Sequence, residues 1–339
     1  MPFAAARLNR NGMSAPVRSS RVVKPERLQP GDVVGIIAPA SAPPDPAAVD
    51  RAVAQVERMG FRAKLGRHVR ARHGFLAGTD RERAADLMGM FADRRVRGII
   101  CLRGGYGTAR LLERIDFGVV RQHPKVFAGY SDITSLHCAF TRAANLITFH
   151  APMLNEGLGS ESYPAFSTQR FLKLVTDAAA AGSLCEGYAG KTVQVIRRGV
   201  AEGRLVGGNL SVLVTTLGTE FQPDFRGRIL FLEDVGERPY RLDRMLTQLL
   251  NAGVLTQVAG VAVGINQDCE DPSAATAKEY RQSSADVWRE RLRPLGVPVV
   301  TGLPFGHQPV NATLPVNARV RLDANRGDLI LTEAAVCQL

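Results

Sequence analysis

The sequence predicts an α/β protein of two domains, a doubly wound parallel sheet followed by a mixed α/β domain. Length is the first observation, because 339 residues exceed what one hydrophobic core usually holds. The second is that short apolar runs alternate with segments of helical periodicity through residues 28–150. The third is that the order of strands and helices becomes irregular over residues 191–335.

The first strand–helix unit opens the amino-terminal domain. An apolar strand lies within Gly31–Ser41 and runs into a proline-rich loop. Asp45 is expected to cap the next helix, with Pro46 at the first helical position and Gly60 at the helix end. The spacing of apolar residues between them predicts one buried helix face.

Further units follow the same plan. Thr79 and Glu82 predict a capping box ahead of the second helix, and Gly98–Leu102 is another apolar strand. The strand Val126–Gly129 leads directly into a third helical segment. The repetition predicts a flavodoxin-like, doubly wound domain over residues 28–150.

Three loops leave the carboxyl ends of these strands, where doubly wound sheets bind their ligands. They are Pro39–Pro44, Arg103–Gly107 and Tyr130–Asp132. The glycines of the second loop do not fit a dinucleotide fingerprint, because the loop follows an interior strand and Arg110 replaces the last glycine. Glycines there let backbone N–H groups approach a ligand closely, as an oxyanion hole requires.

Residues 151–190 are expected to cross between the domains, and residues 191–335 to form the second domain. The crossover contains a helix-like stretch, Ala165–Ala181. The second domain is predicted to contain the strands Arg228–Leu232, Val258–Gly264 and Val297–Thr301 and the helices Asn209–Leu217 and Tyr240–Asn251.

Nearly half of the net charge of +11 lies at the amino end. Residues 1–27 carry six basic side chains against one acidic side chain, and we expect a disordered basic tail there. The remaining charge is spread thinly, without basic runs interleaved with aromatic residues. A nucleic-acid partner is therefore not expected.

Composition also limits compartment and cofactors. No window has the ~18 uninterrupted apolar residues of a membrane helix, and the amino end lacks the apolar core of a signal peptide, so a cytoplasmic protein is expected. The cysteines stand singly and odd in number, which argues against a disulfide framework and a cysteine-rich metal site. They are Cys101, Cys138, Cys185, Cys269 and Cys337.

Three residues are candidates for chemistry. Ser131 stands where a strand turns into a helix, a position that suits either a helix cap or a nucleophile. Glu233 follows an apolar strand, and His307 lies in a loop between glycines and prolines. Spacing alone does not make a catalytic triad of them, because triads are recognised by geometry.

Several long motifs, in order, resemble one known family. They are LRGGYGTARLL, GYSDITSLH, TFHAPML, GRLVGGNLSVL, FLEDVGERPYRLDRMLTQL, and GLPFGH followed by Asn311 and LPV. Over residues 28–332 the sequence is similar to the LD-carboxypeptidase (muramoyltetrapeptide carboxypeptidase) family of serine peptidases. The residue after LPV is Asn317, where that family commonly has glycine.

The resemblance implies a serine-peptidase triad. Ser131 would be the nucleophile, His307 the general base and Glu233 the residue that orients the histidine. Asp234 and Glu237 are rival acids, and only the register of the motif favours Glu233. No metal and no cofactor are expected.

Binding groups follow from that chemistry. Backbone N–H groups near Gly105 and at Asp132 would stabilise the oxyanion. A carboxypeptidase must also bind a terminal carboxylate, and Arg103, Arg238 and Arg241 are the candidates.

The substrate implied by the resemblance is a muropeptide. The enzyme would hydrolyse the L,D bond between meso-diaminopimelate and terminal D-Ala during peptidoglycan recycling in the cytoplasm, and it would act as a homodimer. The first alternative is a microcin C immunity-type serine peptidase that cleaves an aminoacyl-nucleotide amide. The second is a non-catalytic ligand-binding protein on the same scaffold.

Overall fold

The computed structural model describes residues 21–179, 182–271 and 282–338. Its α-helices are α1 Ala48–Arg58, α2 Asp80–Ala92, α3 Phe117–Gln122, α4 Thr134–Ala139, α5 Ala165–Thr176, α6 Leu210–Val214, α7 Pro239–Asn251 and α8 Ser284–Leu292. Its strands are β1 Val33–Ile37, β2 Arg62–Leu65, β3 Val96–Cys101, β4 Val126–Gly129, β5 Thr148–His150, β6 Gly182–Ser183, β7 Gln194–Arg197, β8 Val200–Asn209, β9 Ile229–Glu233, β10 Gly260–Ile265, β11 Val299–Gly306, β12 Leu314–Val316, β13 Arg319–Asp323 and β14 Asp328–Leu331.

The first sheet confirms the predicted doubly wound, flavodoxin-like domain. Its strand order is β12-β5-β4-β3-β1-β2, and β2, β1, β3, β4 and β5 pair in parallel. The order reverses between β1 and β3, which makes a crevice at the carboxyl ends of these strands. The loops after β1, β3 and β4 all open towards that end.

Both faces of this sheet are covered by helices. Neighbouring side chains along a strand point in opposite directions, so each strand contributes to two apolar clusters. Ile36 and Ile100 lie in one apolar cluster, and Ile37 and Ile99 lie in another. Helices α1 and α5 supply the first cluster, and α2, α3 and α4 supply the second. The sheet is therefore a buried layer whose exposed functional groups lie at strand ends.

The second sheet confirms the mixed character predicted for the carboxy-terminal half. Its order is β6-β14-β13-β8-β9-β10-β11-β7, and β8, β9, β10 and β11 pair in parallel while the outer strands pair antiparallel. One strand of this half crosses over: β12 pairs antiparallel with β5, so it closes the edge of the first sheet. The sequence did not indicate this exchange.

Several helix boundaries differ from the sequence expectation, among them the end of α6, which lies at Val214 rather than at Leu217. Asp45 does not cap α1 at its first turn, because Asp45 and Pro46 form a separate turn in which Asp45 Oδ1 accepts a bond from the Ala47 N–H at 2.9 Å, and α1 begins at Ala48. Helix α5 ends at Thr176 rather than at residue 181. The capping box of Thr79 and Glu82 is confirmed.

The expected tail needs a correction at its inner end. Val23 forms a bridge with Leu146, and Glu26 forms a bridge with Cys337. Lys24 also makes an ion pair with Glu333 at 3.2 Å. Residues 21–27 thus belong to the folded part, while residues 1–20 lie outside the described residues.

The backbone conformation at Asn317 is one that the expected glycine would also adopt. Its φ is 72°, in the left-handed region that asparagine tolerates better than most residues. Its side chain accepts from Arg228 Nη1 at 2.9 Å and donates to Asn145 Oδ1 at 3.0 Å. The turn therefore keeps the geometry that a glycine would allow.

In the described part of the chain, no helix has the length and apolar character needed to cross a bilayer.

Candidate active site

The serine corner is strained and its hydroxyl is free of structural bonds. β4 ends at Gly129, and Ser131 opens a 3₁₀ turn with a φ of 63°. A β-carbon on Gly129 would lie 3.0 Å from the Ile133 side chain, so the tight corner requires glycine there. Within the described residues the Ser131 hydroxyl makes no hydrogen bond and caps no helix. Strain of this kind is typical of a presented nucleophile and not of a helix cap.

Glu233 and His307 meet across the second sheet. His307 Nδ1 lies 2.7 Å from Glu233 Oε2, and the Glu233 side chain is 0% exposed. Burial lowers the pKa of His307, but the Glu233 carboxylate outweighs burial, so that pKa lies above the usual histidine value. The carboxylate can thus orient the ring and stabilise its protonated form.

Tyr130 connects this pair to the serine corner. Its ring centroid lies 4.8 Å from that of His307, and Ser131 is the next residue along the chain. The structure therefore brings the three residues predicted from the motifs to one end of the two sheets.

The rival acids are engaged elsewhere. Asp234 Oδ2 accepts from the Ser211 N–H at 2.8 Å, and Oδ1 accepts from Asn209 Nδ2 at 3.0 Å. Burial and the neighbouring Glu233 carboxylate raise the pKa of Asp234 to about 6. Glu237 lies 3.5 Å from Arg241. Neither acid bonds to the histidine.

The glycine loop after β3 lies against the serine. A β-carbon on Gly104 would be 3.0 Å from Ser131 Cβ, and Gly105 has a φ of 104°. The Tyr106 N–H donates to Ser41 Oγ at 3.1 Å, which ties this loop to the loop after β1. Within the described residues, the Gly105 N–H has no hydrogen-bond acceptor. That free donor suits an oxyanion site.

Asp132 contributes a side chain as well as its backbone. Its Oδ2 accepts from the Thr108 N–H at 2.8 Å, and the Thr108 hydroxyl donates to the Asp132 carbonyl at 2.5 Å. Burial raises the pKa of the Asp132 carboxyl against these hydrogen bonds. The Asp132 N–H lies in the first turn of the short helix, where backbone donors have no partner within the helix. The carboxylate thus fixes the glycine loop relative to the serine corner, a role that the sequence did not reveal.

The three candidate arginines lie in different surroundings. Arg103 is half-buried, adjoins Gly104 and donates to the Ala42 carbonyl at 2.6 Å. Arg238 and Arg241 are exposed at the start of α7. Within the described residues, no group of three or more His, Cys, Asp or Glu side chains is placed to hold a metal ion.

Glu156 is a site residue that the sequence analysis missed. It lies in the 3₁₀ turn Leu154–Glu156 after β5, and its Oε2 accepts from the Met153 N–H at 3.1 Å. Burial raises the pKa of Glu156 to about 7, although the positive charges of His307 and Arg103 oppose the rise. Its only signal in the sequence was that it follows a strand, as many exposed acids do.

Comparison with known proteins places these residues in a family context. A family model described as the LD-carboxypeptidase N-terminal domain matches residues 34–151, and one described as the LD-carboxypeptidase C-terminal domain matches residues 202–322. The chain is 40% identical over 315 residues to the probable murein peptide carboxypeptidase of Bacillus subtilis, covering 93% of this chain and 96% of that protein. It is 34% identical over 314 residues to the murein tetrapeptide carboxypeptidase of Pseudomonas aeruginosa, covering 91% of this chain and 99% of that protein.

Solved structures share the fold. The muramoyltetrapeptide carboxypeptidase of Oxalobacter formigenes superposes with a TM-score of 0.76 at 31% identity, covering 88% of this chain and 97% of that one. MccF in complex with glutamyl sulfamoyl guanosine superposes with a TM-score of 0.81 at 23% identity, covering 92% of this chain and 99% of that one. At that identity the second likeness shows the fold alone.

Proposed function

The chain belongs to the LD-carboxypeptidase family of serine-type carboxypeptidases, and we propose that it removes terminal D-Ala from murein tetrapeptides with Ser131, His307 and Glu233 as its catalytic triad. The observation that carries this proposal is the 2.7 Å contact between His307 and the fully buried Glu233, beside the strained corner at Ser131. The two contributions come from different sheets and converge at one end.

The chemistry proceeds by acyl transfer. His307 Nε2 takes the Ser131 proton as Oγ attacks the carbonyl carbon, and the histidine then gives this proton to the leaving amine. Water, activated by the same histidine, hydrolyses the resulting ester and frees Ser131. Glu233 holds the Nδ1 proton throughout, so that Nε2 is the basic nitrogen.

The oxyanion forms next to the glycine loop. The N–H groups of Gly105 and Asp132 would donate to it, and the loss of one such donor typically costs roughly 3–4 kcal/mol of barrier. Asp132 aligns the two donors, because its carboxylate binds the loop that follows Gly105.

Greater sequence identity to murein carboxypeptidases favours this substrate over an aminoacyl-nucleotide amide. Among the superposed structures, the muramoyltetrapeptide carboxypeptidase is 31% identical to this chain, whereas the MccF structure is 23% identical. The presence of all three catalytic side chains also argues against a non-catalytic binding protein. We further propose a recycling role in the cytoplasm and a homodimeric assembly.

Mass spectrometry of peptide digests tests the proposal. We expect L-Ala-γ-D-Glu-meso-diaminopimelate-D-Ala to lose its terminal D-Ala, while the same peptide ending in L-Ala and a pentapeptide ending in D-Ala-D-Ala stay intact. Discrimination on the order of 10³ is expected, since misplacing the carbonyl by about an ångström costs roughly a hundredfold and a lost charged contact costs more. Cleavage of only an aminoacyl-nucleotide amide, offered in parallel, would replace this proposal with the MccF-type activity.

A further inference from the structure

Glu156 has one oxygen committed to the fold and one that is open. The Asn155 N–H donates to the Leu102 carbonyl at 2.8 Å, so the turn that carries Glu156 rests on the end of β3, next to Arg103. Glu156 Oε2 accepts from the Met153 N–H. Oε1 is not among the buried polar atoms that lack a partner, and within the described residues it makes no hydrogen bond to another residue. The free oxygen therefore faces accessible space beside the catalytic corner.

Arg103 has a similar division of its donors. Nη1 donates to the Ala42 carbonyl, which holds the guanidinium in place. Its other N–H groups make no hydrogen bond within the described residues and are not buried. Arg103 also lies at the crevice between β1 and β3, where the strand order reverses and ligands bind in this class of sheet.

We propose that Arg103 and Glu156 together bind the terminal carboxylate of the substrate, with Arg103 as the cationic partner and Glu156 as a neutral carboxylic acid that donates its O–H. The inference rests on the proposed carboxypeptidase function and deepens it. It assigns one of three candidate arginines and adds a residue that the motifs did not indicate.

Distance along the substrate supports this assignment. The terminal carboxylate carbon is three bonds from the attacked carbonyl carbon, so the two lie about 3–4 Å apart. Its partner must therefore adjoin the nucleophile. Arg103 directly precedes Gly104, whose β-carbon position is 3.3 Å from both Ser131 Oγ and Met153 Cε, so the backbone that carries Arg103 lies against the nucleophile. Arg241, by contrast, already bonds to Tyr240 and Glu237.

The surroundings of Glu156 favour its neutral form. Burial is the largest influence and raises the pKa of its carboxyl to about 7. A second carboxylate bound next to it would raise that pKa further, so the acid stays protonated in the complex and can donate a hydrogen bond. The titratable and charged groups that face Glu156 from the neighbouring elements are Cys101, Arg103, Tyr130, Tyr163 and His307.

A comparison of two substrates isolates this subsite from the titration of His307. One substrate is the D-Ala tetrapeptide with its free carboxylate, and the other is the same peptide as its terminal amide. Because both use the same triad, the ratio of their KM values between pH 6 and 9 reports the carboxylate subsite. At pH 6 we expect the KM of the free acid to be about 10²-fold lower than that of the amide. Above about pH 7 this advantage should decrease by about tenfold for each pH unit, because Glu156 ionises.

Variants assign the effect to the two side chains. Glu156→Gln keeps a donor but cannot ionise, and it should remove the pH-dependence of the KM ratio. Arg103→Gln should abolish the preference for the free acid, while Arg103→Lys should restore part of it. Glu161→Gln, a change of an exposed acid in the loop after this turn, should leave the ratio and its pH-dependence as in the unmodified protein.

Outcomes separate the two proposals. Failure of the free-acid tetrapeptide to release D-Ala contradicts the proposed function itself, whereas failure of the amide alone to release D-alaninamide agrees with a requirement for the carboxylate. Release from both substrates with equal KM, or a KM ratio that stays constant from pH 6 to 9 in the unmodified enzyme, overturns the subsite and needs no variant. A Glu156→Gln protein that loses affinity for both substrates equally would show that an ionised Glu156 binds a cationic group of the substrate instead.

Discussion

The serine corner and the acid–histidine pair are built in different ways. Ser131 is positioned by its immediate neighbours along the chain: Gly129 permits the tight corner, and the positive φ directs the side chain out of it. His307 and Glu233 are 74 residues apart and leave strands β11 and β9, with β10 between them. One half of the site is local backbone geometry, and the other half exists only in the packed sheet.

A glycine makes the second arrangement possible. Gly306 has a φ of 122°, and a β-carbon there would lie 3.2 Å from Glu233 Oε2. His307 can therefore reach across the sheet end because its neighbour has no side chain. The comparison teaches that a presented nucleophile needs a strained backbone, whereas a charged partner needs burial and a clear approach.

Removal of the Ser131 or the His307 side chain should have the largest effects on kcat. The two variants should differ in thermal stability, because the serine corner and the acid–histidine pair are built differently. Ser131→Ala and His307→Ala should each lower kcat by about 10⁴-fold or more. Ser131→Ala should leave the melting temperature within about 2 °C, because it removes no bonded group. His307→Ala should destabilise the protein by roughly 1–3 kcal/mol, because it leaves the buried Glu233 carboxylate without its partner. Kinetics and thermal unfolding measure both. More than about a tenth of the activity in Ser131→Ala would rule out the triad.

Two adjacent carboxylates provide the next test. Glu233→Gln should lower kcat by about 10³–10⁴-fold. An amide N–H that faces Nδ1 forces the His307 proton onto Nε2, and a protonated Nε2 cannot accept the proton of the serine hydroxyl. Asp234→Asn, the matched control, should lower kcat by less than about tenfold, because Asp234 binds Asn209 and Ser211 and not the histidine. Equal losses in the two variants would mean that the histidine is not oriented by Glu233 alone.

Crowding of the serine corner should have a smaller effect. Gly104→Ala places a methyl group 3.0 Å from Ser131 Cβ, so the nucleophile must shift by a few tenths of an ångström, and we expect kcat/KM to fall by about 10–100-fold. Gly89→Ala, in helix α2 with nothing within 4 Å of the new carbon, is the control. It should keep full activity and stabilise the protein by about 1 kcal/mol. Unchanged kinetics in Gly104→Ala would show that the corner tolerates movement.

The smallest expected effect is on the pH-dependence of stability. The folded-state pKa of Asp234 is about 6, above its usual value of 3.8, so between these values the native state holds a proton that the unfolded state has lost. The stability that protonated Asp234 contributes to the folded state is therefore fully present below about pH 4 and is lost as the pH rises through about 6. Urea unfolding of the native protein and Asp234→Asn at pH 4, 5, 6 and 7 should show this slope in the native protein and a flatter profile in the variant. Parallel profiles would contradict the assignment.

Much of the fold followed from periodic patterns. Val126–Gly129 was predicted with its observed bounds, and the capping box at Thr79 is present. Both depend on interactions within a few residues. The start of α1 and the end of α5 were missed, because helix ends depend on turn geometry and on what packs beside them. The pairing of β12 with β5 joins segments 164 or more residues apart, which no local pattern encodes.

The sequence by itself determined the alternation of strands and helices, the glycines that tight corners require, and, through its ordered motifs, the family and the three residues proposed for catalysis. Only the tertiary structure decided which acid meets His307 and that Glu156 lies beside Arg103. Successive residues at a strand end point to opposite sides, so Glu233 and Asp234 have different partners although they are neighbours in sequence. Those partners come from distant segments, and their distance in space is fixed only when the apolar faces of both sheets are buried together.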